Sequence, residues 1–232
     1  NLGRINDAMS YYRKLVKDKD FIEDRRLIEE TYYGLAWCYL KINDYKKAIE
    51  EFRKLTIFSE EPIIKTSAQI NIGDVYQESG QFQKALGVYE KVLEEFPGNL
   101  YSDYIQLQIG LCLLKQEDLE ASLLAFENLK RSFPQSKLRA EAVYYTALSL
   151  ASLGNLKESA IILEDFIRGF PKDSLIKDSL IKKMYLLLIQ VYIDAKDYSK
   201  VTRAFKEVGK RFAGDKDFST RIQIQKGLFH LD

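Results

Sequence analysis

Residues 66–97 read TSAQINIGDVYQESGQFQKALGVYEKVLEEFP, and the fold is decided here. Ile72, Gly73 and Tyr76 recur at the spacing of one helix face, as do Ala85, Tyr89 and Val92, so the stretch predicts two short amphipathic helices. Ser79-Gly80-Gln81 interrupts the periodicity with turn-forming residues. The chain then repeats the unit: the small residue of the first helix returns as Ala36, Gly73, Gly110 and Ala147, each 37 positions after the last. A helix pair copied at constant period predicts an all-α array in which each hairpin packs on its neighbours.

Working outward, complete units are expected at 29–61, 66–97, 103–134, 140–171 and 182–213, forming one array over 1–232. Residues 1–20 read as the second helix of a truncated repeat and 218–231 as the first helix of another, as in a piece of a longer array. In each hairpin a small residue on helix one, such as Ala36 or Gly73, faces one on helix two, such as Ala48 or Ala85, so that the backbones can approach. The fifth unit departs from this with Ile189 and Val201, which predicts wider helix packing there.

All four prolines, Pro62, Pro97, Pro134 and Pro171, are expected between units, where a missing N–H and a fixed φ stop the preceding helix. The step from Ala147 to Ile189 is 42 residues, and a tandem copy of Asp173–Lys177 as Asp178–Lys182 accounts for the extra five. That duplication is expected to lengthen the front of the fifth unit's first helix.

Composition narrows the function. A formal net charge of +1, from 35 basic and 34 acidic residues, argues against an electrostatic grip on nucleic acid, which needs clustered Lys and Arg. No stretch approaches the roughly 18 uninterrupted apolar residues of a membrane span, so these residues are not expected to insert directly into a membrane. Cys38 and Cys112 share a repeat phase two units apart, too far for a disulfide, and read as buried thiols. With His230 as the single histidine and no glycine-rich phosphate loop, neither a histidine-based catalytic set nor a metal or cofactor site can be read from the sequence.

Charge is nonetheless uneven. Asp74, Glu78, Glu90, Glu94, Glu95 and Asp103 cluster against Lys84 and Lys91, while Lys200, Arg203, Lys206, Lys210 and Arg211 crowd the last second helix. Such runs read as solvated outer faces, with partner steering or self-association between copies as the functional alternative.

The unit at 66–97, with Gly73, Tyr76, Phe82, Ala85, Tyr89 and Pro97, resembles the tetratricopeptide repeat, and the likeness covers nearly the whole chain. It implies a right-handed superhelical α-α solenoid of about five complete repeats plus a half repeat at each end, without enzymatic activity. It further implies a scaffold or adaptor with a protein or peptide partner. The joints Phe96-Pro97-Gly98-Asn99, Phe133-Pro134-Gln135-Ser136 and Phe170-Pro171 resemble the CpoB/BamD-like branch of the bacterial cell envelope, which implies a periplasmic or outer-membrane-associated adaptor. Free thiols leave the cytoplasm as the alternative.

In that family the first helices line the concave face. Carried onto this chain, the partner groove is expected at Tyr33, Trp37, Ile70, Asp74, Tyr104, Leu107, Leu111, Tyr144 and Leu148. The face is poor in Lys and Arg and keeps only Asn71 of the polar set that would clamp a peptide carboxylate, so an apolar, aromatic contact is expected instead. Packing of Tyr33, Trp37, Leu107 and Leu111 into the interior is the competing reading. Two other functions stay open: a structural or oligomerising spacer for flanking domains, and a peptide-sensing regulatory domain.

Overall fold

Five turns between helices share one backbone solution. Asn43, Gly80, Glu117 and Gly154, spaced 37 apart, and Lys196 after the longer step, all lie in the left-handed region, with φ from 56° to 80°. At each, the next residue's N–H bonds back five positions: Asp44 to Tyr39, Gln81 to Tyr76, Asp118 to Leu113, Asn155 to Leu150 and Asp197 to Tyr192, at 2.8–3.0 Å. This is the Schellman closure, which satisfies the last carbonyls of one helix and reverses the chain into the next. Asp44 and Asp197 then cap the following helix by accepting from Lys47 N and Lys200 N.

The computed structural model describes residues 2–17, 24–169 and 178–229. Over these residues the secondary structure is helical throughout: α1 (Leu2–Leu15), α2 (Arg25–Lys41), α3 (Tyr45–Phe58), α4 (Pro62–Glu78), α5 (Phe82–Glu95) and α6 (Ser102–Lys115), then α7 (Leu119–Ser132), α8 (Arg139–Ser152), α9 (Leu156–Arg168), α10 (Asp178–Asp194), α11 (Tyr198–Arg211) and α12 (Lys216–Phe229). None of these helices is long and apolar enough to cross a membrane. The chain divides into two compact units, Asn1–Asp118 and Leu119–Asp232. Within each unit, every helix packs on the next in sequence.

Small residues set the helix spacing. Ala36, Ala48, Ala85 and Ala147 are fully buried, and a Cβ added at Gly73 would lie 2.5 Å from Cε1 of Tyr89 on α5. In the second unit the approach of α8 and α9 is close enough for Ser159 Oγ to donate to the carbonyl of Ala147 at 2.7 Å. Ile189 and Val201 are also fully buried, and the α10–α11 pair they fill is more sparsely packed than α2–α3 or α4–α5, as their bulk predicts.

In three hairpins a tyrosine of the first helix ties the pair to the second helix before it. Arg13 of α1 donates to Tyr39 OH at 2.9 Å, Arg53 of α3 donates to Tyr76 OH at 3.1 Å, and Tyr192 OH donates to Glu164 of α9. Burial pushes the Glu164 carboxyl up, but the Tyr192 and Lys200 hydrogen bonds outweigh it and hold the group below its ordinary range.

Pro62 requires a correction. It begins α4 at the first helical position, after Glu61 as N-cap, instead of standing between units. A proline is at home there because that N–H has no intrahelical acceptor. Pro97 and Pro134 do fall in joints, where Asn99 and Ser136 hold the chain by accepting from Tyr101 N and Leu138 N at 2.8 and 3.0 Å. The second copy of the duplication, Asp178–Lys182, forms the first turn of α10, whereas 173–177, the Phe170-Pro171 joint and His230 lie outside the described residues.

Candidate functional site

The first unit carries an open groove between α2 and α4. α2 supplies Arg26, Glu29, Glu30 and Tyr33, α4 supplies Ile63, Ile64 and Ser67, Leu55 of α3 forms the floor, and Tyr101 at the N-cap of α6 closes one end. Its volume is about 330 Å³. Ile63 is 50% exposed, an unusual state for an isoleucine at the entry of a cleft.

Beside the groove, Tyr33 and Trp37 rest edge-on against the fully buried Phe52 of α3, with centroids 5.9 and 6.5 Å from it and 6.1 Å from each other. Both rings stay 39% exposed. One edge of each is therefore core and the other is open, so the packing and binding readings of this pair describe opposite edges.

The remaining candidates are placed differently. Ile70 and Leu107 are buried, at 5% exposure each, and are not available as groove contacts; Ile70 packs with Ala85, Tyr89 and Ile105 in the core. Asp74 and Tyr104 are half-buried in a polar network. Tyr89 OH donates to Asp74 Oδ1 at 2.6 Å and is 3.0 Å from Gln77 Oε1, and Tyr104 also hydrogen-bonds Asp74. Burial raises the Asp74 carboxyl above its usual value even though both tyrosines donate to it, and burial together with that carboxylate raises the Tyr89 and Tyr104 hydroxyls. The Cys112 thiol is pushed up to about 12, by burial first and by Asp74 second, which leaves it inert as a thiolate. Cys38 and Cys112 are both free.

Leu111 is half-buried on α6. Tyr144 and Leu148 belong to the second unit, where both are half-buried and Tyr144 packs 5.0 Å from Tyr145. The basic run on α11 is likewise partly engaged: Lys200 pairs with Glu164 at 3.3 Å and Arg211 lies over the rings of Tyr185 and Phe212.

Sequence spacing alone did not point to Glu29, Ile63, Ile64 or Tyr101. Placing Pro62 between units instead of at the start of α4 hides the first turn of that helix, which carries both isoleucines.

Three family profiles described as tetratricopeptide repeat match the chain, at residues 29–56, 67–99 and 107–174. No curated protein sequence matches it. Among solved structures it is similar to BtubC (BKLC) from P. vanneervenii, with 16% identity, a TM-score of 0.70, and 92% of this chain and 90% of that chain covered. It is also similar to the apo form of RapI, at 18% identity and TM-score 0.82 over 97% of this chain, although it spans only 65% of RapI. YrrB, described as having an unusual peptide-binding site, aligns at 16% identity and TM-score 0.58, with 91% and 97% covered. At such identities these likenesses speak to the fold. With helix pairs repeating at the phase of the matched profiles, the chain belongs to the tetratricopeptide repeat family.

Proposed function

We propose that the chain is an adaptor that holds a segment of a protein partner against the apolar, aromatic surface formed by Tyr33, Trp37 and the α2–α4 groove. Repeats of this family are interaction scaffolds for proteins or peptides. The observation that carries the finer reading is the pair of half-exposed aromatic rings, seated on Phe52 and bordering a groove that Ile63, Ile64 and Leu55 make apolar. Rigid, part-buried aromatics beside a cleft have the character of binding hot spots: their ordering cost is already met in the free protein. That YrrB is described as carrying a peptide site supports a peptide as ligand.

The test is selection of peptides from a random decapeptide display library, followed by affinity measurement on the wild type and on Tyr33→Ala and Trp37→Ala. Loss on the order of tenfold or more with an unchanged circular dichroism spectrum is expected. Selected peptides that bind both variants as tightly as the wild type would remove this surface from consideration. The Phe96-Pro97 and Phe133-Pro134 joints support a place in the bacterial cell envelope, which fractionation of cells making the native protein checks.

A further inference from the structure

The groove between α2 and α4 contains a charge that the protein itself leaves unanswered. Glu29 is only 8% exposed, lines the groove, and has its Oε1 buried without a hydrogen-bond partner. Three cations close in sequence or on the adjoining helix are paired with other acids. Arg26 Nε donates to Glu30 at 3.0 Å, Arg25 lies 2.8 Å from Glu60, and Lys54 donates to Glu51 at 2.7 Å. A desolvated carboxylate oxygen is stabilised by a donor or a cation, and the groove that Glu29 lines is mainly apolar and aromatic, with Arg26, Glu30 and Ser67 as its other polar residues.

We propose that the groove takes a lysine or arginine side chain from the partner segment, with its cationic head on the Glu29 carboxylate. The methylene stem lies along Leu55, Ile63 and Ile64, and the rings of Tyr33 and Tyr101 flank it. The fit is one of chemistry on both counts: long basic side chains have an apolar stem and a charged tip, and a cation gains further from nearby aromatic faces. Arg26 and Glu30 at the rim neutralise one another, so Glu29 gives the groove its net negative charge. This inference rests on the reading of the groove as the partner-binding surface and adds to it the residue class that the surface selects.

The experiment titrates the isotope-labelled protein with n-hexylammonium, 1-hexanol and hexanoate, three probes with one stem and different heads, and follows the backbone amides of Glu29, Tyr33 and Ser67 by NMR. Saturable shifts with hexylammonium at least about tenfold tighter than with hexanol, and hexanoate weakest, are expected. Glu29→Gln should bring the ammonium down to the level of the alcohol. Equal affinity of the three probes for the wild type, or no shift at these amides with any of them, would overturn the inference without recourse to a variant. So would a preference for the ammonium that survives in Glu29→Gln. If display peptides still depend on Tyr33 while the probes show no preference, the groove reading stands and the cation is withdrawn. If the ammonium binds at Glu29 but peptides ignore Tyr33, the site remains and the adaptor reading falls.

Discussion

The α4–α5 hairpin and the α10–α11 hairpin are built to one plan and packed in two ways. Both end their first helix in a left-handed residue, Gly80 or Lys196, and both close with the same backward hydrogen bond. In the first, Gly73 lets Tyr89 pass so close that its hydroxyl reaches Asp74, and the polar group sits in the middle of the hairpin. In the second, Ile189 and Val201 fill the crossing with larger buried side chains, and a polar contact between the two helices is made instead by Tyr185 to Glu207 at 2.9 Å. A cleft of about 230 Å³ opens there, lined by Tyr185, Tyr192, Glu164, Lys200, Arg203 and Glu207. The turn therefore fixes the connection, while the side chains at the crossing fix how tightly the helices meet.

Five predictions test that contrast. The largest effect is expected in the wide hairpin: Ile189→Ala removes a fully buried side chain and should cost about 3 kcal/mol, read as a lower urea midpoint by circular dichroism. Adding volume to the tight hairpin should be the mirror image. Gly73→Ala places a methyl against the Tyr89 ring and should cost about 2 kcal/mol, followed through the fluorescence of Trp37, the one tryptophan of the chain, which lies in the same unit.

Tyr89→Phe should cost about 1.5 kcal/mol near neutral pH, since it strips a donor from the partly buried Asp74 carboxylate. The pH dependence has a definite sign. Because burial raises the folded-state pKa of Asp74 above its unfolded value, the stability due to this group is complete below the unfolded value and is lost as pH rises through the folded one. Asp74→Asn should flatten that part of a urea-midpoint profile, and a profile as steep as the wild type's would count against the assignment. The smallest effect concerns what the two hairpins share. Lys196→Gly relieves a side chain in the left-handed region and should stabilise by about 0.5 kcal/mol, whereas Gly80→Lys should do the reverse.

Much of the fold is legible because the physics behind it is periodic. The small residues at 36, 73, 110 and 147 mark the helix crossings, and the turn residues at 43, 80, 117 and 154 keep the same phase. Pro62 escapes this logic when all prolines are read alike. It lies 35 residues before Pro97 and so is out of step with the joint prolines, which is the signal that it opens a helix instead of ending one. The site is less legible. A stripe of one residue per turn places Ile70 and Leu107 on the surface, yet a first helix flanked by neighbours on both sides buries part of that stripe. Glu29 leaves no clear trace: its phase carries Thr66, Asp103 and Ala140 in the following units, so an acid at this position does not by itself mark a buried one.

The central functional claim is that a partner is held on α2 and α4 of the first unit. Hydrogen exchange, measured with and without a peptide from the display selection, tests it most directly. The account predicts added protection concentrated in 26–37 and 62–67. Protection that appears instead along α11, with those segments unchanged, would contradict it.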